Sequence, residues 1–105
     1  MGGTKSNINL GLDPETIIKN DKPKMYAVIM HNDDYTPMDF VVYLLVKVFR
    51  KDDIDARMLM LDIHQKGAAA IGIYTFDVAS SKQDLVQKMA EQAGHPLRIT
   101  IKEAE

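Results

Sequence analysis

Met25-Tyr26-Ala27-Val28-Ile29-Met30-His31, followed at once by Asn32-Asp33-Asp34-Tyr35-Thr36-Pro37-Met38, decides how this chain folds. The first half is short, apolar and rich in strand formers, and it stops abruptly at a polar cluster, so it is predicted to be a central strand. The second half opens a helix. Thr36 is placed to cap the free N–H groups, Pro37 suits the first helical position, and Asp39 falls where a capping-box acid belongs. Capping accounts for Thr36, Pro37 and Asp39. It leaves Asn32, Asp33 and Asp34 unexplained, bunched between the end of a strand and the start of a helix.

Working outward, Val41, Leu44, Leu45 and Val48 recur at helical spacing and carry the first helix to about Phe49. Arg50 to Asp53 interrupts it, and Asp52 with Asp55 supplies an acidic start for a second helix over Ile54–Gln65, stopped by Gly67. Ala70–Tyr74 reads as a second strand. Thr75 can cap a third helix whose inward face is Val78, Leu85, Val86, Met89 and Ala93, ended by Gly94 and Pro96. Leu97–Ile101 alternates in polarity, as a strand with one wet face does. The order β-α-α-β-α-β calls for an α+β fold: a small three-stranded antiparallel sheet covered on one face by three helices. Strand one fits between the other two, antiparallel to both. Residues 25–105 form the expected core. Residues 1–24 are polar, broken by glycine and proline, with only Leu10, Leu12, Ile17 and Ile18 to bury, and are expected to be a flexible, disordered tail. A single helical turn at Asp13–Ile18 is its one structured possibility, and Met1–Ser6 fits the loose N-myristoylation pattern that short glycine-rich ends also fit.

With 105 residues, 46% hydrophobic content and 27% charge, one modest core is expected, with a shallow surface pocket rather than a deep enclosed site. The formal charge of -2 provides no basic stripe for phosphates, so no nucleic-acid partner is expected. The absence of cysteine removes disulfides, thiolate metal sites and cysteine nucleophiles. No apolar run approaches the roughly 20 residues that span a bilayer, and no signal-peptide centre stands near Met1. The expectation is a soluble cytoplasmic monomer without cofactor.

The Asn32/Asp33/Asp34 cluster admits three chemistries. It can be a polar turn whose side chains satisfy local backbone groups. It can hold Mg²⁺, as paired aspartates at a strand end do in phosphoacceptor domains centred on residues such as Asp33 and Asp34, although such domains use a longer parallel sheet and a later acidic position not found here. Or it can receive an organic cation, its oxygens accepting N–H donors from an ammonium while a neutral imidazole adds another acceptor. His64 is the available imidazole. It stands one helical turn after Met60, so the two share a face, either lining a pocket or as surface histidine and packing methionine. A nucleophilic triad is hard to build, since Ser80 and Ser81 lie within the third helix and neither His31 nor His95 has a base-and-orienter pairing with them. No catalysis is expected.

Met25–Ile29, Asn32–Met38, Met60 to His64 and His95-Pro96-Leu97 together closely resemble the ClpS family of bacterial N-degron adaptors, over Met25 to about Lys102. The resemblance implies a non-catalytic cytoplasmic adaptor. It would capture proteins with a destabilising N-terminal Leu, Phe, Tyr or Trp and deliver them to the ClpA unfoldase of the ClpAP protease. By position, Asn32, Asp34 and His64 correspond to the groups holding the free α-amino terminus. Thr36, Met38, Val41, Met60 and Leu97 correspond to the side-chain pocket, with Met38 as a gate against branching at Cβ. Asp33 is implied to be structural. Asp77 and Lys82 correspond to residues docking on the ClpA N-terminal domain, Asp77 standing where glutamate is familiar. The tail corresponds by position to the segment used in delivery. His31 and Tyr43 receive no role.

Overall fold

The computed structural model describes residues 22–104. The tail's helical turn and its acylation pattern lie outside these. The elements are β1 (Met25–His31), α1 (Met38–Lys47), α2 (Asp53–Lys66), β2 (Ala68–Thr75), α3 (Phe76–Ala93) and β3 (Arg98–Ala104). The sheet order is β2-β1-β3, with β1 antiparallel to both neighbours, as the sequence predicts.

Alternation along β1 creates the two faces of the sheet. Val28 and Met30 are fully buried in the core with Leu44, Leu45, Ile63, Val86 and Ile99. His31 points the other way, where its Nε2 lies 2.9 Å from Thr100 Oγ1. Desolvation there, aided by the Arg98 charge, lowers the His31 pKa. A bulge opposite Val28 and Ile29 leaves Ile71 without a cross-strand partner, yet it is buried. None of the described helices is long and apolar enough to cross a membrane.

Three local expectations are corrected. Pro37, not Thr36, is the N-cap of α1, and no side chain caps this helix. The reason is competition: Thr36 turns its N–H and its hydroxyl towards Asp33. In α3, Ala79, Val86 and Ala90 are the buried residues, while Val78 and Leu85 are 44% and 48% exposed and Ala93 is exposed. Small residues let this helix lie close to the sheet, and Gln83, on the same stripe, donates to the Ile99 carbonyl at 3.0 Å. The apolar stripe is therefore turned by about one residue, roughly 100°. Third, α1 ends at Lys47 rather than Phe49, and β2 and β3 run longer than the segments expected for them, whereas β1 has the expected bounds. The acidic start of α2 is as expected, Asp52 accepting from the Asp55 N–H at 2.8 Å. Gly67 and Gly94 close α2 and α3 in the left-handed conformation, at φ 91° and 78°.

Candidate functional site

Four segments meet where β1 ends. The Asn32 N–H donates to the Gly67 carbonyl at 2.8 Å, fastening the polar cluster to the C-terminal turn of α2, three residues beyond His64. Phe40 meets the His95 ring edge-on with centroids 4.7 Å apart, drawing the loop before β3 against the start of α1. All eight residues expected to form the ligand site sit on these four segments.

Within the cluster the three polar residues divide by their bonds. Asp33 is consumed by the chain itself: Oδ1 accepts from the N–H groups of Tyr35 and Thr36 at 2.8 and 2.7 Å, and Oδ2 accepts from the Thr36 hydroxyl at 2.7 Å. Partial burial raises its pKa, but the bonds from Thr36 and Tyr35 and the charge of His95 outweigh that, so the carboxyl ends below its ordinary value. Asn32 and Asp34 are exposed, and among the described residues no hydrogen bond engages their side chains. His64 is likewise exposed, one turn from half-buried Met60. Acceptors without protein donors, beside the carbonyl end of α2, suit a cationic ligand.

The residues expected to receive a side chain differ in exposure. Met38 is 42% exposed, Thr36 and Met60 are half-buried, and Val41 and Leu97 belong to the core. Met38 and Val41 share a face of α1, three residues apart. For the Mg²⁺ alternative, both Asp33 oxygens already accept chain donors, which leaves Asp34 as the carboxylate with both oxygens free. Among the described residues no group of three or more His, Cys, Asp or Glu is placed to hold a metal.

Asp77 and Lys82 line a separate groove of about 470 Å³ between the end of α1 and α3, with Lys47, Arg50, Val78 and Leu85. Asp77 is exposed there. Lys82 turns inward: its ammonium donates to the Val48 carbonyl at 2.8 Å and lies 5.6 and 5.4 Å from the Phe49 and Tyr74 ring centroids. Sequence spacing carried no signal for this cradle, for the His95–Phe40 contact, or for the left-handed backbone of Arg50 at φ 59°.

A family model described as the ATP-dependent Clp protease adaptor protein ClpS matches residues 21–100. The chain belongs to the ClpS family. It is 54% identical over 87 residues to the ClpS adapter of Acetivibrio thermocellus, covering 83% of this chain and 88% of that one. It is 44% identical over 95 residues to the ClpS adapter of Nitratidesulfovibrio vulgaris strain Miyazaki F, covering 89% and 95%. Agrobacterium tumefaciens ClpS2, solved bound to L-phenylalaninamide, superposes with a TM-score of 0.77 at 35% identity, covering 79% of this chain and all of that one. This ClpS protein is thus a Clp protease adaptor, and its relatives are named as adaptors rather than enzymes.

Proposed function

We propose that this ClpS protein captures proteins by a free N-terminal Leu, Phe, Tyr or Trp and delivers them to the ClpA unfoldase of ClpAP. The observation that carries the proposal is the L-phenylalaninamide bound by the related ClpS2. That ligand is a lone first residue, with a free amine, a benzyl side chain and an amide where a peptide would continue.

The residues here suit such a ligand. An α-ammonium has a pKa near 8, so it is mostly charged at neutral pH and requires acceptors. Asn32, Asp34 and His64 supply them, and the α2 carbonyl end adds partial negative charge. An acetylated or internal residue cannot complete these bonds and leaves the acceptors unpaired, which selects for a chain end. Thr36, Met38, Val41, Met60 and Leu97 receive the first side chain, whose burial contributes roughly 1.5 to 3 kcal/mol. Pliable thioethers at Met38 and Met60 accommodate both leucine and flat rings. Asp77 and Lys82 belong to the face that docks on the ClpA N-terminal domain, residues 25–105 act as the monomeric adaptor core, and residues 1–24 serve in delivery, in the bacterial cytoplasm.

A fluorescence-anisotropy panel of peptides differing only in the first residue tests this. Leu, Phe, Tyr and Trp peptides bind, and their acetylated forms lose most affinity. Equal binding of free and acetylated peptides defeats the proposal.

A further inference from the structure

We infer that His95 is a positioning residue for first-residue specificity: its ring clamps Phe40 and so fixes the first turn of α1, which carries Met38; this rests on the side-chain pocket proposed above. That turn needs a clamp. It has no side-chain cap, because Thr36 gives its hydroxyl to Asp33, and the N–H groups of Phe40 and Val41 are both directed at the Pro37 carbonyl, at 3.1 and 3.2 Å. An uncapped first turn is the part of a helix most given to fraying. Met38 is the first residue of the turn and is 42% exposed, so the direction of the helix largely determines where its side chain lies. Phe40 follows Met38 by two residues, about 200° around the axis, so holding Phe40 on one side of α1 fixes Met38 on the other.

His95 is itself held. Gly94 ends α3 in the left-handed conformation and the His95 N–H donates to the Ala90 carbonyl at 2.8 Å, so the ring is delivered from the firm end of another helix. Half-buried, it meets half-buried Phe40 edge-on, with centroids 4.7 Å apart and 64° between the planes, an arrangement in which the positive edge of one ring faces the negative face of another. Tyr43, three residues along α1, stacks on Phe40 at 6.5 Å and 26° and extends the row. The same loop is tied to the site twice more. Leu97, two residues after His95, is 3% exposed and is one of the pocket residues. The His95 charge also acts on Asp33, where, with the bonds from Thr36 and Tyr35, it opposes the effect of burial. A residue that only stabilises the fold changes affinity for every first residue alike; one that sets the gate changes their ratio.

The experiment measures, by fluorescence anisotropy, the affinity of the full chain for peptides beginning with Leu, Phe, Ile or Val, together with thermal unfolding. His95→Ala lowers the Leu-to-Ile affinity ratio about two- to tenfold, the span of one aromatic pair. Phe40→Leu, which keeps apolar bulk but removes the ring, lowers it to a similar extent, and the double variant adds little to either alone. His95→Phe keeps the wild-type ratio. Where His95→Ala has no cooperative unfolding transition above the assay temperature, Phe40→Leu compared with wild type and His95→Phe decides. An unchanged ratio in His95→Ala or Phe40→Leu, equal losses for all four peptides, or a ratio in His95→Phe as low as in His95→Ala overturns the proposal, as does a wild-type chain that binds Leu and Ile peptides alike. Wild-type binding that is absent, or indifferent to acetylation of the Leu peptide, instead refutes the capture of free N-termini itself, before any variant is compared.

Discussion

Replacing Asp33 by alanine removes the strut that shapes the ligand loop. Three bonds of 2.7 to 2.8 Å are lost, two from backbone N–H groups and one from the Thr36 hydroxyl. Fully buried bonds to a charged acceptor contribute roughly 1.5 to 3 kcal/mol each, whereas the comparable loss of an exposed capping acceptor costs about 0.5 to 2 kcal/mol. Asp33 is half-buried, and water can replace part of what alanine removes. The net destabilisation is therefore about 2 kcal/mol, a fall in melting temperature of roughly 8 to 16 °C for a domain of this size. Asp33→Asn keeps one oxygen for both N–H groups and costs less, about 1 kcal/mol. The pH dependence has a definite sign: the folded carboxyl has a lowered pKa, so its stabilisation is present above the unfolded value near 4 and disappears as pH falls through the folded value. Urea denaturation at pH 7 and between about pH 5 and 3 measures both effects, and Asp33→Asn shows a shallower acid loss than wild type. An Asp33→Ala protein within about 0.5 kcal/mol of wild type, with the same acid slope, refutes the strut.

His31 has a lowered pKa, so its stabilisation is fully present above the unfolded value of about 6.5 and is lost as pH falls towards the folded value; His31→Gln flattens that part of the stability profile, and an unchanged slope in urea titrations counts against it. Gly72→Ala places a Cβ only 2.5 Å from the Tyr74 hydroxyl oxygen, pushing aside a ring that cradles Lys82; the expected destabilisation of about 1 to 3 kcal/mol appears in thermal unfolding, and a neutral result shows that the ring swings away freely. Met38→Ala opens the rim at Cβ and admits Ile- and Val-initiated peptides, a gain that anisotropy detects and whose absence removes Met38 as the gate.

The sequence by itself determined the order of elements, the central position of β1, the acidic start of α2 and the glycine stops, because each depends on periodicity or backbone preference within a few residues. It also marked Asn32–Met38 as the segment to watch. The family resemblance already set Asp33 apart as structural, but only the tertiary structure supplied the bonds, with Asp33 held by its own loop while Asn32 and Asp34 stay open, since Thr36 had both a helix and a carboxylate available to it. The same holds for α3: Val78 and Leu85 look like core residues by composition, but close approach to the sheet favoured Ala79, Val86 and Ala90. Lys82 reads from sequence as a surface charge, yet its partners Val48, Phe49 and Tyr74 lie on other elements. Local patterns specify which residues can form a helix or strand. The direction a side chain turns, and the atoms it finds there, are set by packing between segments distant in the chain.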